Sequence, residues 1–216
     1  AYGSRKAHLD AYISLARRPT VLGQLRQWLA SDSAAGLPLR APTRWAMVTA
    51  LVSHGASDRD ALIAAERERD NTTEGQRLAF VAQAAAPDSA NKQFLFDRWF
   101  RDATLNEEWV TSSLRAFHDP GQQQLTRRYL VPALDTLPWV QQNRRIFFLG
   151  SWLSATIGGQ TDREALALID GWLASQRTLP MDLRQKVLQS RDELARTVQV
   201  RARYARDSIA SAQSHH

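Results

Sequence analysis

The sequence predicts an all-α protein built as a stack of antiparallel helix pairs, a superhelix of the HEAT or armadillo kind. Three observations predict it. Apolar residues recur at helical spacing, as in Leu183, Val187, Leu194 and Val198. Helix-start signals return about every twenty residues, so that two make a pair of roughly forty. Runs that alternate apolar and polar residues, as strands require, are nearly missing. A short helix pair cannot bury its own apolar face, so each pair gains stability by packing on the next. The expectation is a right-handed stack of nine or ten short helices forming a single domain over residues 1–216.

The elements follow in order. A first helix is expected over residues 4–18, with Leu9, Tyr12, Ile13 and Leu15 apolar and no cap residue ahead of it. Its edge is therefore a place where a preceding neighbour would pack. Next, VLGQLRQWLASDSAAGLPL supplies a short helix that breaks between Gly36 and Pro42. Thr43 precedes RWAMVTALVSH, and Ser57 with Asp60 forms a capping box before ALIAAERERD. Thr104 with Glu107, and Thr161 with Glu164, repeat that pattern before EWVTSSLRAFH and ALALIDGWLAS. Gly55, Pro87, Pro120-Gly121, Pro138, Gly158-Gly159 and Pro180 punctuate the series. Trp28, Trp45, Trp99, Trp109, Trp139, Trp152 and Trp172 fall one to a helix at core spacing, which suits packing anchors.

The last helix opens at Pro180, a good first-turn residue. Its outer face carries Arg184, Arg191, Arg196, Arg203 and Arg206, with Asp182, Asp192 and Glu193 interleaved. Such a helix closes a stack with a polar surface.

Composition narrows the function. With 44% hydrophobic and 23% charged residues, the 216-residue chain is globular. Lys and Arg total 28 against 22 acids, for a net charge of +6, and only positions 6, 92 and 186 are lysine. Most arginines adjoin acids, as in Asp58-Arg59-Asp60 and Glu66-Arg67-Glu68-Arg69-Asp70, a pattern of solvated helix surface and not of a phosphate track. On the last helix only Arg201 to Arg206 keeps uncompensated positive charge, so a nucleic-acid or acidic partner of that helix would have to use its tail. Cysteine is absent, which excludes disulfides and thiolate metal sites. No apolar run reaches the ~18 residues of a membrane span. No membrane partner is expected, and the cytoplasm is the expected compartment. The chain starts at Ala1 and not at Met, so a fragment of a longer protein is expected; His215 and His216 are assigned no role.

Reaction chemistry is hard to place here. A zinc hydrolase needs converging ligands, commonly H-E-x-x-H, whereas His8, His54 and His118 stand singly, the last two at helix ends where imidazole can cap carbonyls. There is no G-x-S-x-G elbow and no phosphate loop, and Ser151 lies inside the apolar helical run FFLGSWLSA. Glu107-Glu108 opens a helix, where acids suit the dipole. Catalytic and metal residues are therefore expected to be none.

A family resemblance rests on order and spacing across about residues 15–200. Arg44-Trp45 opens a helix and Gly55 follows it. Ala65-Glu66 comes next with Asp70, then Thr72 or Thr73 with Gly75, an alanine-rich helix ending at Pro87, Lys92, and a helix with Trp99. Downstream, LTRRYLVPALDTL follows Phe117 and Pro120, and LPMDLRQKVLQSRDELAR closes the run. This pattern resembles the carboxy-terminal helical, ERAP-like domain of the aminopeptidase N family of zinc metallopeptidases. The family's H-E-x-x-H, its third zinc ligand and its G-x-M-E-N stretch are all missing, so no catalytic residue is carried over. The resemblance implies the later part of a non-catalytic domain that packs against a catalytic domain of the same polypeptide, covers its cleft and restricts entry of peptides, zinc belonging to the catalytic domain alone. Arg127, Arg128, Arg144 and Arg145 are the charge clusters expected to meet a peptide substrate's carboxylate. The alternative is a free-standing helical-repeat module that binds nucleic acid or a protein partner.

Overall fold

In a computed structural model the chain is described over residues 2–102 and 104–213, with side chains described over 3–102 and 104–205. The Arg206 side chain, His215 and His216 lie outside the described residues. The protein is mostly helical, as expected, and its chain forms two compact units, one through Phe117 and one from His118 onward.

The first unit contains α1 (Tyr2–Ser14), α2 (Pro19–Ser31), α3 (Ala41–Ser53), α4 (Arg59–Arg69), α5 (Thr73–Ala84), α6 (Ser89–Arg101) and α7 (Glu107–Phe117). A two-residue hairpin joins α2 to α3, β1 (Ser33–Ala34) pairing antiparallel with β2 (Leu37–Pro38). Its turn residues Ala35 and Gly36 both have positive φ, +51° and +75°, the twist a tight hairpin demands. Two apolar clusters fill this unit. Met47 and Leu51 of α3 face Ile13 and Leu25, while Trp45, Val48 and Val52 face Ala79, Ala82, Ala85 and Ala86. Helix α3 is thus buried on two sides, and the alanine-rich α5 lets it approach closely.

The second unit holds α8 (Gln123–Thr126), α9 (Leu130–Asp135), α10 (Leu137–Asn143), α11 (Phe148–Gly158), α12 (Arg163–Ser175) and the long α13 (Met181–Gln213). Pro132 and Pro138 cut the stretch after Thr126 into short pieces, since proline removes a helix donor. On α13 the expected stripe of Leu183, Val187, Leu194 and Val198 is buried.

Several local expectations need correction. The first helix ends at Ser14, and a second begins at Pro19; Leu15 is 75% exposed, not packed. Thr43 is not a cap, because α3 already starts at Ala41 and Thr43 is buried in its first turn. Ser57 caps nothing: α4 follows Asp58, with no side-chain cap bond. Asn106, not Thr104, accepts from the start of α7, through Glu108 N at 2.8 Å. Asp162 takes the place expected of Thr161 and accepts from Ala165 N at 3.0 Å. An acidic or amide side chain one or two residues nearer the helix won each of the last two contests. Trp139 is 39% exposed, whereas Trp45, Trp99 and Trp152 are fully buried.

Candidate functional site

The residues that carry the family pattern meet inside the first unit as a set of polar braces. Arg44, in the first turns of α3, donates from Nε to both oxygens of Glu66 at 2.9 Å and from Nη2 to Oε2 at 2.7 Å. Its Nη1 reaches back to the Leu29 carbonyl at 3.0 Å and to Asp32 at 2.8 Å. One guanidinium therefore ties the C-terminal end of α2 and α4 to α3. Burial alone would lower the Arg44 pKa, but the bonds from Glu66 and Asp32 outweigh it and raise it. Asp32, held at φ +53°, also receives Arg69 from the end of α4.

Its sequence neighbour Trp45 makes the next brace. The indole Nε1 donates to Asp70 Oδ2 at 3.0 Å, while the Thr72 hydroxyl donates to Asp70 Oδ1 at 2.6 Å. The Thr72 bond is the main reason that the Asp70 carboxyl titrates below the usual range; burial opposes it and Trp45 adds to it. Thr72 Oγ1 in turn accepts from Gly75 N at 3.0 Å and caps α5. A Cβ on Gly75 would fall 2.1 Å from the Asp70 carbonyl, so only glycine allows the α4–α5 turn to close. Lys92 completes the set. Fully buried, it donates to the Ala84 carbonyl at 2.9 Å and the Phe117 carbonyl at 2.6 Å, and lies 4.6 Å from the Phe117 ring centre. It satisfies the ends of two helices, α5 and α7, that would otherwise leave buried acceptors open.

The second unit uses similar devices. Arg127 pairs with Asp162 and Glu164, and Gln123 Oε1 accepts from both Thr161 N and its hydroxyl at 2.7 and 2.8 Å. Trp152 Nε1 donates to the Ala133 carbonyl at 3.0 Å, and Trp172 Nε1 to Asp135 at 2.7 Å. On α13, Arg191 binds Asp170 in bidentate fashion at 2.8 and 2.9 Å, which lowers the Asp170 pKa.

The four arginines expected at a peptide site take different surroundings. Arg127 is in the ion pairs just described. Arg128 is exposed, its guanidinium 5.2 Å from the Tyr129 ring. Arg144 lies over Trp139 and Phe148, 5.3 Å from each ring centre. Arg145 is exposed beside Ile146 and Phe147, each 85% accessible. His54 caps as expected, its Nδ1 2.8 Å from the Ala50 carbonyl, and His118 is buried. Among the described residues no three His, Asp or Glu side chains converge as a metal site requires. Among the described residues, too, no helix is long and apolar enough to cross a membrane. Sequence reasoning missed Asp32, whose role depends on a left-handed backbone that no periodicity reveals.

These features define a mostly helical chain whose pattern residues are spent on bracing helices. The chain matches the ERAP1-like C-terminal domain over residues 4–196 and belongs to that family. It is 28% identical over 200 residues to aminopeptidase N of Streptomyces lividans, a match that covers 89% of this chain and 22% of that protein. The chain thus spans less than a quarter of its relative's length.

Proposed function

We propose that residues 1–216 are the later part of the carboxy-terminal domain of a zinc aminopeptidase that removes amino-terminal residues from peptides, and that the domain is non-catalytic, packs on the catalytic part of the same polypeptide and restricts access to its cleft. The carrying observation is the family match together with the use of Arg44, Trp45, Glu66, Asp70, Gly75 and Lys92 as braces, with none of them turned to chemistry. Helices joined this rigidly make a wall that can exclude folded chains while admitting peptides. In this reading the helix pairs continue a HEAT-like stack, and Arg127, Arg128, Arg144 and Arg145 offer cations to a peptide carboxylate. The reading also puts the protein in the cytoplasm, which fractionation of source cells tests.

The test uses the whole polypeptide. Replacing Arg128 and Arg145 by Ala should reduce kcat/KM for free peptides more than for aminoacyl anilides, which lack the carboxylate. Equal effects on both substrates, or none on either, would remove the peptide-contact role.

A further inference from the structure

A groove of about 470 Å³ runs between α4 and α5, with Trp109 of α7 also lining it. Its apolar wall includes Phe80 and Trp109, whose ring centres are 5.9 Å apart. Its rims are polar. Asp60 and Arg67 stand on α4, Gln76 and Gln83 on α5, each pair seven residues apart and so on one helix face. The short link between the two helices makes them antiparallel, which sets Arg67 near Gln76 at one end and Asp60 near Gln83 at the other. Arg67 and Gln76 also line the groove's continuation toward Asn71.

The groove is thus a dipole with amides at both ends. Arg44, Arg59 and Arg69 nearby are all ion-paired. Among the described residues, by contrast, Arg67 makes no ion pair, and neither the Gln76 nor the Gln83 side chain makes a hydrogen bond. Among the described residues Asp60 meets only Arg59, at 3.7 Å, and it is almost fully exposed. Seven residues of helix separate the acid from the cation by about 10 Å. An extended chain covers that distance in about three residues.

We propose that this groove binds a free tripeptide in extended form. Its carboxylate meets Arg67 and its ammonium meets Asp60. Gln76 and Gln83, each able to donate and accept, bond its peptide groups. A central apolar side chain packs on Phe80 and Trp109. A phosphate-bearing ligand would be repelled by Asp60, and a helical segment, about 10 Å across, would leave the glutamine amides without backbone partners. The proposal does not depend on the access-restricting role.

The test is a titration of the isotope-labelled 216-residue chain with Ala-Phe-Ala, following the Trp109 indole N–H resonance, which Trp109→Phe assigns by deleting it. The expected result is a saturable shift. N-acetylation or C-amidation of the peptide should each weaken binding about tenfold, the loss of one charge-assisted contact. Arg67→Gln should cancel the effect of C-amidation, and Asp60→Asn that of N-acetylation, because each removes the partner of the blocked terminus. Blocked peptides that bind as tightly as the free one, a shift that never saturates, or variants that keep full affinity would each overturn the proposal. The blocked peptides act on the unaltered chain, so a variant that fails to fold leaves the test intact.

Discussion

Arg44 and Glu66 share three hydrogen bonds of 2.7 to 2.9 Å, with the Arg44 side chain 10% and the Glu66 side chain 3% exposed. Without Arg44 the Glu66 carboxylate would be an uncompensated buried ion, whereas Arg44 without Glu66 would still meet Asp32 at 2.8 Å. Arg44→Ala should cost about 3–5 kcal/mol in chemical denaturation, and Glu66→Ala less, because Asp32 still holds Arg44. The double variant should cost less than the sum of the two. Additive losses would show that the pair is not coupled.

Gly75 and Gly171 both lie in helices but differ in their surroundings. A Cβ on Gly75 strikes the Asp70 backbone, whereas one on Gly171 meets nothing within 4 Å. Gly75→Ala should therefore destabilise by about 3 kcal/mol or more, and Gly171→Ala should stabilise by about 0.5–1 kcal/mol. Thermal unfolding of the two variants checks the pair of opposite signs.

Lys92 is the deepest charge in the first unit, and its ammonium serves two carbonyls. Lys92→Met keeps much of the volume but leaves both carbonyls without that donor. The expected loss is about 2–4 kcal/mol in denaturant unfolding, with faster amide exchange at the ends of α5 and α7. A neutral effect would mean that other donors serve those carbonyls.

Asp102 closes α6. The Thr104 hydroxyl first, then Arg98, hold its carboxyl down at about 2. A depressed folded pKa stabilises above the ordinary carboxylate value, near 4, and that contribution disappears as pH falls from about 4 to about 2. A carbon-detected titration of Asp102 should show this low midpoint, and Thr104→Ala should raise it. A midpoint near 4 in the unaltered chain would contradict the geometry.

How far the sequence went depends on what each residue was answering to. The α13 stripe was legible because periodicity alone decides which face of a long helix is buried. The pattern from Arg44 to Lys92 was legible as a family resemblance, but its physical role was not. Bracing joins residues 22 or 25 positions apart, and no local rule pairs them. The shifted caps at Asn106 and Asp162 show the limit of start signals, since several polar residues compete within one turn. Trp139 was placed in the core by its neighbours; Pro138 instead begins a short helix that leaves the ring partly outside, against Arg144.

The central claim is that this domain supports an aminopeptidase without doing its chemistry. Its most direct test measures hydrolysis of aminoacyl anilides by the 216-residue chain alone, with and without added zinc, beside the intact polypeptide. The account predicts turnover by the intact protein and none by the chain under either condition; robust zinc-dependent hydrolysis by the chain alone would contradict it.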